Sequence, residues 1–219
     1  MGHFGLNQVI GEANALNTCH FYEPAAGHGL PHDPFKAIVG PRPIGWISTI
    51  NRSGRINLAP YSFFNAVCDK PPMVAFSSGG RKTSLRNAEA TGEFVYNLAT
   101  RSLAAQMNTT SAVVVDGVDK FELAGLTPEA SRKVAPPRVL ESPASLECKV
   151  VQILELKDLN GQSTMHWLVI GQVVGVHIAT AFLRKGVFDT AAAGPILRAG
   201  YLDEYSEVRA DTMFKMKRP

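Results

Sequence analysis

Apolar positions in this chain recur mostly at a spacing of two, the period of a strand. In residues 43–50, Ile44, Trp46, Ser48 and Ile50 fall on one face, and Gly45, Ile47 and Thr49 on the other, which predicts a strand. The turn-forming run Asn51-Arg52-Ser53-Gly54 follows, then a short return strand over 55–58, so a hairpin is expected. Further strands are predicted over 73–78, entered from Pro71-Pro72, and over 93–98. Residues 145–156 put Leu146, Cys148, Val150, Leu154 and Leu156 on one face, with Val151 and Ile153 interrupting the other. Residues 166–178 are apolar on both faces, and Gly171 and Gly175 mark a bend or bulge. Helical pieces are short: 84–90, opening at Thr83 or Ser84 and closing at Gly92; 102–108, capped by Ser102; and a turn over 119–124. The proline-rich stretch 126–139 reads as loop, and 1–35 as an irregular leader to a single domain over 36–219. Many strands and few helices predict a mainly β chain, a barrel or sandwich.

Composition narrows the class. With 219 residues, 45% hydrophobic and 19% charged, the chain suits one domain with a real core rather than disorder, collagen or a coiled coil. The formal charge is +3, and basic residues are scattered, the densest group being Lys215, Lys217 and Arg218. No basic stripe with interleaved aromatics is present, so nucleic-acid binding is not expected. No apolar run approaches the roughly 18 residues of a membrane helix. The start lacks a basic leader and an apolar core segment, which points to a cytoplasmic protein. Cys19, Cys68 and Cys148 are odd in number and widely spaced, as reduced thiols rather than a disulfide framework. His20, His28, His32 and Asp33 invite a metal reading, but Gly29 and Pro31 break any helix between the histidines, so a loop is expected and no metal.

The chain lacks the P-loop, the dinucleotide fingerprint, the zinc-protease helix and the nucleophile elbow. A cofactor is the economical source of chemistry. Ser77-Ser78-Gly79-Gly80-Arg81-Lys82-Thr83-Ser84 joins a strand to a helix with hydroxyls, glycines and cations. The N–H groups at such a helix start, a lysine point charge and flanking hydroxyls suit a terminal phosphate; the plain alternative is a surface loop with ordinary capping. Residues 57–65, Asn-Leu-Ala-Pro-Tyr-Ser-Phe-Phe-Asn, mix aromatic faces with short polar side chains, a surface for a flat heteroaromatic ring. By itself that stretch reads better as a strand with core aromatics.

Together these segments carry a family resemblance. Pro41-Arg42-Pro43-Ile44-Gly45-Trp46-Ile47-Ser48-Thr49, the 57–65 stretch, Pro71-Pro72-Met73-Val74, Lys82-Thr83-Ser84-Leu85-Arg86-Asn87 and residues 91–98 follow in order. The chain resembles the flavin reductase-like family with an FMN-binding split barrel, which includes reductase components of two-component monooxygenases and flavoredoxins. The resemblance implies a Greek-key antiparallel barrel and a homodimer that binds FMN near the subunit interface. It implies cofactor binding by Arg42, Trp46, Ser48, Thr49, Ser62, Phe63, Asn65, Ser77, Ser78, Lys82, Thr83 and Ser84. The family often has Asp where this chain has Thr83, which makes the pocket here more positive. Many relatives carry Gly-Asp-His near the start of the long strand; here Met165 precedes His166, and only the histidine, expected near the nicotinamide, is kept. The Arg198-Ala199-Gly200-Tyr201 run also matches the family, as dimer packing or cofactor contact. The activity implied is NAD(P)H:FMN oxidoreduction, with NADH or NADPH as hydride donor, supplying reduced flavin to a partner monooxygenase. The alternative is an electron-transfer flavoprotein that holds FMN without efficient NAD(P)H turnover.

Overall fold

The computed structural model describes residues 19–115 and 117–218; residues 1–18 of the expected leader lie outside them. The described residues hold fourteen strands, of which the first ten are β1 (Arg42–Pro43), β2 (Gly45–Ile50), β3 (Ile56–Tyr61), β4 (Phe64–Asp69), β5 (Pro72–Gly79), β6 (Glu93–Leu98), β7 (Pro128–Glu129), β8 (Arg138–Val139), β9 (Ala144–Lys157) and β10 (Ser163–Ile178). The helices used below are α1 (Phe35–Ile38), α2 (Thr83–Thr91), α3 (Ala104–Thr109) and α4 (Lys120–Leu123).

The main sheet has seven antiparallel strands in the order β3-β2-β6-β9-β10-β5-β4. Its two edges, β3 and β4, are consecutive in sequence, with only Ser62 and Phe63 between them. Laid flat, edges six strand spacings apart are about 29 Å from each other. The link from Tyr61 to Phe64 reaches at most about 11 Å. The sheet must therefore curl until its edges approach, and this short link is what makes the chain a split barrel. Across the closure Tyr61 packs on Phe76 at 4.8 Å and Phe64 stacks on Tyr96 at 4.6 Å. Gly45 makes room for that stack, since a Cβ there would lie 2.6 Å from the Phe64 ring.

Two cores result, one on each face of β2. Ile47 points into the barrel with Val74, Phe76, Phe94 and Val169. Ile44 and Trp46 point outward into a second core with Leu103, Met107, Phe121 and Val139, where α3, α4 and the 126–139 segment cover the sheet. The two-faced burial of the predicted 43–50 strand is thus the consequence of a sheet packed on both sides.

Several expectations are corrected. The face predicted along 145–156 does not run through: Ile170 pairs with Gln152 and Gly171 with Val150, so Val151 is bulged out. One extra residue turns the strand over. Ile153 then packs on the barrel core, and Val151, Leu154 and Leu156 are exposed. A second shift between Val173 and Gly175 brings the same effect near the other glycine. Ser102 is not a cap; it lies within a 3-10 turn, Arg101–Leu103, that leads into α3. The segment 126–139 is not free loop, because β7 and β8 pair within it and buried side chains anchor it. Glu147, fully buried on β9, accepts N–H groups from Arg132 at 2.8 Å, Lys133 at 2.6 Å and Val134 at 3.1 Å, and is also bonded by His177 Nε2. Asn97 accepts from Val139 N at 2.8 Å and Ser145 Oγ at 3.0 Å while its amide donates to Trp46 O and Ser48 Oγ.

Candidate functional site

The curled sheet leaves a cleft of about 1310 Å³ beside the β3–β4 link. One wall is β3 and the link itself, Ala59 to Phe63. The floor is the end of β5 and the start of α2, with Ser77, Gly79, Lys82, Thr83 and Ser84. The opposite wall is Ser111 to Val115, then Val118 to Lys120.

The helix start is built to receive an anion. The N-cap of α2 is Lys82, not Thr83 or Ser84, and no side chain caps the first turn. The N–H groups there keep their partial positive charge toward the cleft. Lys82, the Thr83 hydroxyl and the partly exposed Ser77 stand around that point. Asn57 Nδ2 donates to Ser84 Oγ at 3.0 Å and fixes that hydroxyl. The Arg86 guanidinium donates to Arg81 O at 2.8 Å and reaches Thr83 Oγ1 at 3.3 Å, so it holds the loop in shape. Tyr61 closes the floor; burial pushes its phenol up, the neighbouring Ser84 and Ser78 hydroxyls pulling the other way.

His166 is brought to the same cleft. It pairs with Gly79 across β10 and β5. Its Nδ1 lies 2.8 Å from Thr164 O. A carbonyl only accepts, so Nδ1 carries the proton and Nε2 is the acceptor in the neutral ring. The ring fills the space that a side chain at Gly79 would take, Nε2 lying 3.0 Å from that Cβ position.

Of the predicted residues, Ser62, Phe63, Ser77, Lys82, Thr83, Ser84 and His166 meet in the cleft. Four others are corrected, because no surface of them is accessible. Trp46 is fully buried, its Nε1 donating to Thr110 Oγ1 at 2.9 Å. Ser48 is fully buried and donates to Pro137 O. Thr49 is fully buried and accepts from Asn87 Nδ2 at 3.1 Å. Ser78 is fully buried and donates to Gly80 O at 3.0 Å. These side chains hold the walls in place rather than face a ligand. Arg42 lies behind the cleft, its guanidinium donating to Lys36 O and Val39 O at the end of α1 and standing 5.9 Å from the Phe63 ring. Asn65, on exposed β4, is turned onto the Ala66 N–H at 2.9 Å and lies outside the lining. Sequence reasoning missed Arg55, Asn57, Tyr61, Arg86 and Lys120 as lining residues. Asn57 and Tyr61 lay within the aromatic stretch that was singled out. Lys120 had no local signal, since it comes from a different element.

A family model described as flavin reductase like domain matches residues 40–191. The chain belongs to this family. The flavin reductase-like chain is 33% identical over 206 residues to an uncharacterized protein of Deinococcus radiodurans, covering 89% of this chain and 88% of the relative. Among solved structures it is similar to nitrilotriacetate monooxygenase component B from Bacillus cereus, with 28% identity, 91% of this chain and 100% of the other covered, and a TM-score of 0.80. It also shares the fold of the flavoredoxin of Desulfovibrio vulgaris, at 24% identity, 81% and 90% coverage and a TM-score of 0.70. The mainly β split barrel is thus the family's fold. Among the described residues no helix is long and apolar enough to cross a membrane.

Proposed function

We propose that this chain is an NAD(P)H-dependent FMN reductase. The observation that carries the reading is the uncapped start of α2, with Lys82 upon it, at the floor of a cleft whose wall is the aromatic Tyr61–Phe63 link. The residues fit FMN. A phosphate dianion matches the helix N–H groups, the Lys82 ammonium and the Ser77 and Thr83 hydroxyls. The ring system matches the apolar surface of Ala59, Pro60 and Phe63, with Ser62 as an edge hydrogen-bonding group.

Bound FMN would supply hydride-accepting redox chemistry, with NADH or NADPH as the donor. The protein's part is placement. Lys82 and the helix start hold the phosphate end, and Phe63, backed by the Arg42 guanidinium, orients the ring face. His166 lines the cleft, and in its neutral ring Nε2 is an acceptor that suits the nicotinamide carboxamide N–H groups. The similarity to a monooxygenase component B supports a partner oxygenase that uses the reduced flavin. The exposed apolar side chains Val151, Leu154 and Leu156 on the β9–β10 hairpin support a homodimer. The domain reading, a leader before a single barrel over 36–219, and a cytoplasmic location belong to the same proposal.

The test is an absorbance spectrum of protein desalted after FMN addition, repeated anaerobically with NADH and then NADPH. A retained flavin spectrum that bleaches supports the reductase. Retained flavin that stays oxidised with both donors favours the electron-transfer reading that the flavoredoxin likeness suggests. Absence of flavin binding, together with no NADH oxidation in excess FMN, overturns both.

A further inference from the structure

The cleft carries positive charge beyond what one phosphate at the α2 start uses. Lys120, at the start of α4, and Arg55, in the turn before β3, line the same cavity as Lys82. Lys120 Nζ donates to Thr110 O at 2.8 Å, which anchors it and leaves two N–H donors. Arg55 Nη1 lies 3.8 Å from the Cβ position of Gly117, on the same side. Among the described residues neither forms an ion pair. Asp119, a carboxylate on that wall, is occupied by the Phe121 N–H at 2.8 Å. Burial, with the charge of Lys82 added to it, holds the Lys120 ammonium below the usual lysine range. An ammonium whose charge is disfavoured in this way is stabilised when an anion fills the cleft beside it. The cavity of about 1310 Å³ also exceeds the roughly 300–1,000 Å³ usual for one small ligand.

We propose that Lys120 and Arg55 form a second anion subsite that takes the diphosphate of a dinucleotide, with Lys120 the residue that separates dinucleotides from mononucleotides. This rests on the flavin reading for the first subsite, at Lys82. Two ligands bring the same diphosphate chemistry: FAD, spanning both subsites, and a nicotinamide dinucleotide lying beside FMN.

The experiment titrates the full chain with FMN and FAD by flavin fluorescence, and with ADP-ribose by calorimetry before and after FMN loading. Wild type is compared with Lys120→Gln, Lys120→Arg and Lys82→Ala. Loss of one charge-assisted hydrogen bond predicts that Lys120→Gln weakens FAD or ADP-ribose binding by about 10-fold or more. FMN affinity should fall clearly less than FAD or ADP-ribose affinity, because the FMN phosphate keeps its direct contacts at Lys82 and the α2 start. Lys120→Arg should keep most of the affinity. A loss seen with FAD assigns the spanning ligand; a loss seen with ADP-ribose on FMN-loaded protein assigns the nicotinamide dinucleotide. Wild type that binds neither FAD nor ADP-ribose overturns the proposal. So does a Lys120→Gln protein that binds every ligand like wild type, or one that loses FMN as strongly as the others. Absence of FMN binding with intact, Lys120-dependent ADP-ribose binding sinks the flavin reading alone. If Lys120→Gln fails to fold by circular dichroism, Arg55→Gln must give the same pattern.

Discussion

Replacing Glu147 by Gln should destabilise the fold more than any loss of a surface ion pair. The carboxylate is fully buried and accepts three successive backbone N–H groups, of Arg132, Lys133 and Val134, besides its bond with His177. An amide keeps one accepting oxygen and turns two N–H donors toward groups that also donate. At least one backbone N–H is then buried without an acceptor, at about 1–3 kcal/mol, and charge-assisted bonds of about 1.5–3 kcal/mol each are weakened. These losses overlap, and breaking one partner of a buried charged network costs about 3–5 kcal/mol. For a chain of this size that is roughly a 6–20 °C fall in Tm. Burial would push Glu147 up, but the hydrogen bonds from Arg132, His177 and Lys133 outweigh it and hold the carboxyl below its ordinary value of 4.5. A depressed folded value means that the stabilisation is complete above about pH 4.5 and fades as pH falls through the folded value. The gap between wild type and Glu147→Gln should therefore be full at pH 7 and narrow below pH 4.5. Thermal unfolding from pH 3 to 8, with His177→Gln as a second variant, reads this out. A Glu147→Gln protein within about 2 °C of wild type at pH 7 refutes the clasp. An equal loss in His177→Gln shifts the weight from the backbone clasp to the His177 contact.

Three further outcomes follow from the site. Lys82→Ala should weaken FMN binding by about 10-fold or more, through a lost charge-assisted contact, as measured by fluorescence titration; unchanged affinity removes Lys82 from the phosphate end. His166→Ala should slow anaerobic flavin reduction in stopped flow while moving FMN affinity by less than about threefold, since it stands beside Gly79 on β10 and not among the groups at the α2 start; an unchanged reduction rate leaves His166 a packing residue against Gly79. Ser48→Ala should lower stability by about 1–3 kcal/mol in urea and leave FMN affinity intact, because its hydroxyl is buried against Pro137 O and the Asn97 amide. A selective loss of FMN affinity in that variant would return Ser48 to the binding set.

The strands were legible where one register held throughout. Residues 93–98 were read correctly, and 45–50 too, because β2 and β6 keep one register against their neighbours; the predicted 43–50 run is broken at Ile44, and Pro43 belongs to β1. The α2 end at Gly92 was legible because a left-handed C-cap, φ 72°, calls for glycine. The inward face of β9 was not, since the flip at Val151 depends on a bulge against β10 and has no mark in the β9 sequence itself. β4 was missed for a related reason: Phe64–Asp69 is an edge strand with mostly exposed side chains, so it has little alternation to read.

The same distinction explains which of the expected residues line the cleft. Short polar groups in a strand look alike whether they face a ligand or a neighbouring strand; burial decides between them, and burial belongs to the assembled sheet. Ser77 and Ser78 are adjacent on β5, and alternation forces them to opposite faces. Ser77 lines the cleft, and Ser78 is sealed against Gly80 O. The 57–65 stretch divides in the same way: Ser62 and Phe63 lie in the link that closes the barrel and face the cleft, whereas Asn65, two residues after Phe63, belongs to the edge strand β4. Barrel closure and cleft formation therefore come from one feature, the two-residue β3–β4 link. Inserting Gly-Gly after Ser62 should loosen both together, lowering Tm and FMN affinity in one variant. A loss of FMN affinity with Tm unchanged would separate the two and show that the link shapes the cleft without holding the barrel shut.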